Sequence, residues 1–279
     1  MARLAVAGAG ALLARAALEA IRRSPQADDL ERTNFRGHTV SLAAGPALAV
    51  AASVAAGTGA AIEGRSGLAA ASVVAGLGAG AVGLYDDVVG ARPDQRTAKG
   101  FRGHLAALRE GRVTSGLMKV AGVGLAGLVA SALLPSRRRR GPGGRAADVV
   151  LGAGVIAGTA NLVNLLDLRP GRAVKAGLLV AVPLAGSPVG AAVTGPVGAS
   201  AAVLPDDLGE RVMLGDCGAN ALGALLGVAL AARSGLVGRA VLLAALAGLT
   251  AASEKVSFTK VIEATPGLRE LDQLGRHPS

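Results

Sequence analysis

Aromatic residues, cysteine and charge are all scarce in this chain of 279 residues. One tyrosine, three phenylalanines and no tryptophan are present, so the aromatic belt that usually marks both faces of a membrane protein is missing. The single cysteine, Cys217, excludes an internal disulfide. Charged residues make up only 17% of the chain, against about 25% in soluble globular proteins. This deficit disfavours an ordinary soluble domain.

Hydrophobic residues are abundant instead, at 51% of the chain. They form long runs rich in alanine, valine, leucine and glycine, which is typical of a polytopic helical membrane protein. Runs of spanning or nearly spanning length occur at about 2–21, 42–61, 67–85, 116–134, 147–166, 173–190, 191–205, 219–232 and 235–252. We therefore expect an all-α protein with about nine (nine to ten) transmembrane helices. Residues 1–279 form a single membrane domain in this interpretation, and 253–279 are its polar tail.

The distribution of lysine and arginine predicts how the helices are oriented. If the N-terminus lies outside, inside segments contain 18 of these residues and outside segments contain nine. Because cytoplasmic loops are usually the richer in positive charge, this favours an N-out, C-in arrangement. The run Arg137–Arg140 then lies outside, so either that loop binds anionic headgroups or one helix is miscounted. The net charge of +10 is explained by loops that face anionic lipids and substrates, not by nucleic acid.

Three short acidic motifs lie at the edges of hydrophobic runs, and the predicted orientation places all of them on the cytoplasmic side. They are YDDVVG (85–90), NLVNLLD (161–167) and LGDCG (214–218). A carboxylate beside lipid is costly, so each is a functional candidate. The adjacent Asp86 and Asp87 repel each other and need a cation or a proton. With Mg²⁺ they could organise a diphosphate, or one could act as a base; a solvated helix end is the alternative.

The other two motifs have chemical and structural interpretations as well. Asn161, Asn164 and Asp167 recur every three residues, so they share one side of a helix and suit a nucleobase or a sugar. Polar contact between helices is the alternative. Asp216 lies between glycines just before a helix, where small neighbours and the helix N-terminus favour ligands, although an ordinary N-cap is equally consistent.

Basic residues that could meet phosphate follow two of these motifs. After Asp167 come Arg169, Arg172 and Lys175, and the loop 86–115 contains Lys99. The segment 102–112 is a candidate interfacial helix. The histidines His38 and His104 have no partners at metal-ligand spacing.

Together the motifs resemble those of the polyprenyl-phosphate N-acetylhexosamine-1-phosphate transferase family, which includes phospho-N-acetylmuramoyl-pentapeptide transferase. The order is the same: Asp-Asp after the third helix, Lys-Gly in the next loop (Lys99), and Asn-x-x-Asn-x-x-Asp after the fifth helix. A Gly-Asp-x-Gly motif follows, with Asp216 as its acidic residue. The resemblance covers most of the chain, and the combination is far more specific than any single motif.

This resemblance implies Mg²⁺-dependent transfer of a sugar-1-phosphate from a UDP-sugar to undecaprenyl or decaprenyl phosphate, with release of UMP. The reaction would take place at the cytoplasmic face of the plasma membrane, in cell-envelope glycan synthesis such as that of peptidoglycan. Asp86 would be the base for the lipid phosphate. Asp87 would support the metal and phosphate site, and Asp216 would be the principal Mg²⁺ ligand.

For the substrates, the resemblance implies that Asn164 and Asp167 line the nucleoside and sugar pocket. Asn161 would support this pocket and Lys99 would meet phosphate. The expected partners are the UDP-sugar donor, the polyprenyl phosphate acceptor and the lipid bilayer. A homodimer is among the assemblies open to such a chain.

Two departures from the family pattern limit what the resemblance implies about the sugar substrate. The pattern usually continues Asp-Gly-x-Asp-Gly, but here the position of its second aspartate is occupied by Pro170. The family's late sugar-recognition loop is represented only by Arg269, Arg276 and His277 in the tail. The sugar is therefore open. The alternatives are a divergent non-catalytic homologue that binds lipid phosphate or nucleotide in an envelope-assembly complex, and a transporter whose acidic residues carry ions.

Overall fold

A computed structural model describes residues 1–90, 109, 111, 114–136 and 141–276. It is almost entirely helical within these ranges. The long helices are α1 (Ala2–Arg22), α2 (Ala44–Ile62), α3 (Ser66–Val89), α4 (Ser115–Leu133), α5 (Pro142–Leu166), α6 (Arg172–Ala185), α7 (Gly190–Leu208), α8 (Gly215–Arg233) and α9 (Leu236–Ser253). The tail contains two short helices, α10 (Phe258–Ala264) and α11 (Leu268–Gln273). A small antiparallel hairpin joins α1 to α2 and consists of β1 (Glu31–Thr33) and β2 (Thr39–Ser41).

The predicted hydrophobic runs all form helices, with ends that differ by a few residues. Seven of these helices are long and apolar enough to cross a membrane. The all-α, multi-pass membrane class is therefore confirmed. The run predicted over 173–190 is shorter than expected, because α6 ends at Ala185. The following residues, Gly186 and Ser187, precede Pro188, which disfavours helical backbone before it and removes a hydrogen-bond donor.

Helix α8 runs through the middle of the bundle, where it packs against α2, α3 and α5. Most of its residues are buried, whereas few residues of α9 and α1 are. Close approach of α3 to α8 depends on Gly83. A Cβ atom at that position would lie 2.3 Å from the carbonyl oxygen of Asp216, well inside any tolerable contact. Small residues at such crossings are the usual means by which membrane helices pack.

The ends of the helices that carry the acidic motifs meet at one end of the bundle. Consecutive long helices alternate in direction, so α3 and α5 finish where α8 begins. The β-hairpin lies at the same end, where Ser41 of β2 forms a parallel bridge with Val212, just before α8. The tail is also held there, through hydrogen bonds to Arg172 and Lys175 at the start of α6. We call this the motif end of the molecule.

Replacing Gly83 by alanine is expected to destabilise the protein, because the new methyl group forces α3 away from α8. Overpacking of this kind costs about 1–3 kcal/mol. Cys217 is the only cysteine and is buried, so its reaction with a thiol-specific dye on heating in detergent measures unfolding. The control is Gly124→Ala in α4, where a new Cβ meets nothing within 4 Å. Equal unfolding temperatures for the two variants would contradict the packing described for α3 and α8.

Candidate functional site

The N-terminus of α8 is held by carboxylates from other parts of the chain. No side chain of its own caps the helix. Instead, the two carboxylate oxygens of Asp87 accept hydrogen bonds from the backbone N–H groups of Asp216, at 3.0 Å, and Cys217, at 2.9 Å. Asp167 accepts a further bond from the backbone of Gly215. The first N–H groups of a helix lack partners within it and carry partial positive charge, so this end of α8 stabilises both carboxylates.

Gly215 makes this arrangement possible at the first residue of α8. Its backbone φ is +59°, a left-handed conformation that glycine adopts at little cost. A Cβ atom there would also lie 2.9 Å and 3.0 Å from the two carboxylate oxygens of Asp87. Both the turn and the approach of Asp87 to the helix therefore require glycine.

Beside this anchor, Lys119 of α4 joins two acidic motifs. Its Nζ lies 2.5 Å from Oδ2 of Asp216 and 3.0 Å from Oδ2 of Asp86. The other oxygen of Asp216, Oδ1, accepts a hydrogen bond from Nδ2 of Asn164 at 2.5 Å. We call Asp86, Lys119, Asn164 and Asp216 the carboxylate–lysine cluster. The side chains of Asp86, Lys119 and Asp216 are 14%, 24% and 26% exposed, so a ligand at the motif end can reach them.

Next to the cluster is a pocket of about 270 Å³ between the β-hairpin and the ends of α5 and α7. Asp167 and Asp207 both line it. Among the described residues, Oδ2 of each has no hydrogen-bond partner. Buried polar atoms are costly unless they are hydrogen-bonded, so the pocket offers two acceptors to a ligand that carries N–H or O–H groups. Phe35 is at the same pocket, and the guanidinium of Arg169 lies 4.3 Å from its ring centre.

The charge environment of the pocket also affects Asp167, which ends α5 and lies outside the helical spans. Burial raises the pKa of the Asp167 carboxyl well above its usual range, and the negative charges of Asp207, Asp216 and Asp87 raise it further. The hydrogen bond from Gly215 acts in the opposite direction. Asp167 therefore gains from a ligand that donates a hydrogen bond or brings positive charge.

The structure brings together most of the residues singled out in the sequence. Asp86, Asn164 and Asp216 meet in the cluster, and Asp87 and Asp167 hold the adjacent helix end. Asn161 does not join them, because its Nδ2 donates to Oγ1 of Thr250 in α9 at 3.0 Å. That contact corresponds to the alternative of polar contact between helices.

Other sequence candidates are engaged elsewhere or lie outside the described residues. His38 lies 3.6 Å from Glu210, and Arg172 and Lys175 contact the tail. The remaining candidates and segments fall outside the described residues: Lys99, His104, most of the candidate helix 102–112, Arg137–Arg140 and His277.

The motifs indicated neither Asp207, in the pocket, nor Lys119, in the cluster. Lys119 lies inside the apolar run predicted over 116–134, far along the chain from both of its partners. A signal was nevertheless present, since a charged residue within a predicted span is a functional candidate by default. The charge of Lys119 pairs with the carboxylates of Asp86 and Asp216.

The donor types in the cluster suit Mg²⁺, which prefers oxygen ligands from carboxylates, amides, phosphates and water. Within the described part of the chain, no three acidic, histidine or cysteine side chains are arranged to hold a metal ion on their own. Mg²⁺ in phosphate-handling sites is usually bound by only one or two carboxylates, with substrate phosphates and water as the other ligands. Asp216 and Asp86 fit that kind of site. Both oxygens of Asp87 already accept backbone hydrogen bonds. These bonds fix the position of the backbone at Asp216.

Comparison with known proteins adds no family to this description. No family model matches the chain, and no curated protein matches it. The function therefore has to be inferred from the motifs and from the geometry of the motif end.

Asp86 and Asp87 are neighbours in the sequence, but we expect their removal to have different effects on stability. Asp87→Ala leaves the N–H groups of Asp216 and Cys217 without their partner, at a cost of roughly 1–3 kcal/mol for each unsatisfied group. Asp86→Ala leaves Lys119 paired with Asp216 and should change stability by less than about 1 kcal/mol. Thermal unfolding of both variants, followed through Cys217, tests this. A larger loss for Asp86→Ala would refute the assignment of Asp87 as the anchor of α8.

Lys119 should compete with a divalent cation for Asp86 and Asp216. Lys119→Met removes the competing charge, and we expect Mn²⁺, an observable substitute for Mg²⁺, to bind about tenfold more tightly. Electron paramagnetic resonance of free Mn²⁺ measures the affinity. Lys119→Arg keeps the positive charge and is the matched control. Equal affinities for all three proteins would show that Lys119 and the metal do not share these carboxylates.

Proposed function

We propose that this protein transfers a sugar-1-phosphate from a UDP-sugar to polyprenyl phosphate, either undecaprenyl or decaprenyl, and releases UMP. The observation that carries the proposal is the carboxylate–lysine cluster. Three motifs that are remote from one another in the sequence contribute Asp86, Asn164 and Asp216 to one partly exposed site in a multi-pass membrane protein. A lipid-linked phosphate and a water-soluble nucleotide can meet only at such a membrane border.

The reaction that this site would support is a single exchange of phosphoryl bonds. An oxygen of the lipid phosphate forms a bond to the β-phosphorus of the UDP-sugar, and the bond from that phosphorus to the oxygen of UMP breaks. Because both reactants are anions, their approach requires positive charge. Asp86 and Asp216 already offset the charge of Lys119, so the reactants need a further cation. Mg²⁺, when bound, would screen the diphosphate and make UMP a better leaving group.

The individual residues then have distinct proposed roles. Asp86 is the candidate base that receives a proton from the lipid phosphate or keeps it deprotonated and aligned. Asp216, oriented by Asn164 and by the backbone bonds to Asp87, is the candidate metal ligand. The pocket next to the cluster would hold the nucleoside or sugar of the donor, with Asp167 and Asp207 as acceptors for its N–H or O–H groups. Lys99, which lies outside the described residues, remains a proposed phosphate contact.

We place the motif end in the cytoplasm and the protein in the plasma membrane. The excess of lysine and arginine in the segments at this end supports that orientation. The UDP-sugar donor is a cytoplasmic metabolite class, so the orientation and the proposed substrate agree. The reaction would supply a lipid-linked sugar for cell-envelope glycan synthesis, such as that of peptidoglycan.

A non-catalytic binding role is the second candidate, and one observation favours it. Two of the basic residues after Asp167, Arg172 and Lys175, contact the C-terminal tail. Fewer cations than the sequence suggested are therefore available to stabilise a phosphoryl group during transfer, whereas the pocket and its two acceptors are still available to a nucleotide. In that role the protein would bind lipid phosphate or nucleotide without transferring the sugar.

The assay for transfer uses purified protein, radiolabelled UDP-sugars, polyprenyl phosphate and Mg²⁺. We expect labelled lipid product and UMP, and a fall of about 100-fold to 10,000-fold in rate for Asp216→Asn. Asp28→Asn, which changes an exposed carboxylate, is the matched control. Nucleotide binding without lipid product across a broad panel of UDP-sugars would favour the binding role. If Asp216→Asn kept the full rate, the proposed metal and phosphate site would be wrong.

A further inference from the structure

The C-terminal tail is bound tightly to the start of α6 by a buried ion pair. The carboxylate of Asp272 in α11 accepts two bonds from the guanidinium of Arg172, at 2.8 Å from Nε and 3.0 Å from Nη2. Arg172 and Asp272 are 4% and 7% exposed. The same guanidinium donates to Oγ1 of Thr259 in α10, at 2.8 Å. Both tail helices are thus joined to one residue of the bundle.

Lys175, one turn further along α6, closes the tail over this pair. Its Nζ donates to the backbone carbonyls of three tail residues, at 2.6 to 3.0 Å. The tail therefore lies against the bundle through backbone as well as side-chain contacts. Such a set of charged hydrogen bonds holds a short segment more firmly than an exposed ion pair would.

A second arginine connects the tail to the wall of the pocket. Arg276 donates from Nη2 to Oδ1 of Asp272 at 2.6 Å and from Nε to the carbonyl oxygen of Pro170 at 2.8 Å. Pro170 lies in the turn between α5 and α6, and this turn lines the pocket with Asp167 and Arg169. Proline has no backbone N–H, so its carbonyl is the one backbone group at that position that can be tied down by a hydrogen bond.

We propose that the tail is a strap and that Arg276 is a positioning residue for the pocket. Asp272 fixes the guanidinium of Arg276, and the guanidinium fixes the Pro170 carbonyl, so the turn presents Asp167 and Arg169 in one orientation. This inference rests on the proposed function only in taking the pocket as the place where the UDP-sugar binds. The strap gives a structural role to three basic residues that the transfer chemistry does not use: Arg172, Lys175 and Arg276.

The carboxyl group of Asp272, which holds the strap together, stays ionised at neutral pH. Burial acts to raise the pKa of the Asp272 carboxyl, but hydrogen bonds and charges from Arg172 and Arg276 outweigh it and hold the pKa below its usual range. Asp272 is therefore ionised under ordinary conditions, and its contribution to stability is lost only as the pH falls through this lowered pKa. The strap is a permanent restraint on the turn.

The test compares Arg276→Gln with Arg269→Gln in the full-length protein. Arg269 is in the tail helix α11, shortly before Arg276 in the chain, but it is exposed, and among the described residues its side chain pairs with its neighbour Glu270. Hydrogen–deuterium exchange of the peptide 166–176 measures the restraint directly. We expect about tenfold faster exchange in Arg276→Gln and no change in Arg269→Gln. Arg276→Lys keeps the charge beside Asp272 and allows the same comparison if Arg276→Gln is not recovered folded.

Transfer kinetics separate a positioning role from a purely structural one. For Arg276→Gln we expect KM for the UDP-sugar to rise about tenfold while kcat changes by less than about threefold. Unchanged exchange in 166–176 would overturn the strap, and faster exchange with an unchanged KM would overturn the positioning role. If the wild-type protein transfers no sugar phosphate at all, the proposed function fails, and the exchange measurement alone then decides the strap.

Discussion

The capture of the α8 N-terminus by carboxylates of other helices is the interaction on which the motif end depends. Asp87 and Asp167 would each be costly at the edge of a membrane if left alone. The free N–H groups and the partial positive charge at the start of α8 offset that cost. The two carboxylates also accept hydrogen bonds from N–H groups that have no partner within the helix. Because α3 and α5 supply the acceptors, the three acidic motifs are brought together by the same bonds that fix the helices.

The charge balance at the motif end follows from this capture. Four carboxylates lie close together at this end: Asp86, Asp87, Asp167 and Asp216. The ammonium group of Lys119 contacts two of them, Asp86 and Asp216. Several carboxylates around one ammonium form an electrostatically unbalanced site, in which a further cation or a proton is favoured. A substrate diphosphate that arrives with Mg²⁺ brings such a cation together with the anion to be transferred. The excess of negative charge is therefore a reason to expect metal-assisted phosphate chemistry and not plain anion binding.

Much of the fold could be predicted from hydropathy, whereas the contacts of individual site residues could not. Long apolar runs form helices because no other segment satisfies its own backbone in lipid, which is why the all-α membrane class was predictable. The resemblance implied different roles for Asp86 and Asp87, but nothing in the sequence indicated which groups each one contacts. Neighbouring residues on a helix point in directions about 100° apart, so one reaches Lys119 and the other reaches α8. Lys119 itself was hidden because its partners come from remote segments, and only packing brings them together.

The cluster and the pocket are held in place by different means. The cluster is fixed by a helix terminus inside the bundle. The pocket wall instead includes Pro170, whose carbonyl oxygen accepts a hydrogen bond from Arg276 of the tail. The cluster therefore depends on the packing of the long helices, whereas the turn that lines the pocket depends on the tail. A change in the tail can act on the pocket and leave the cluster in place.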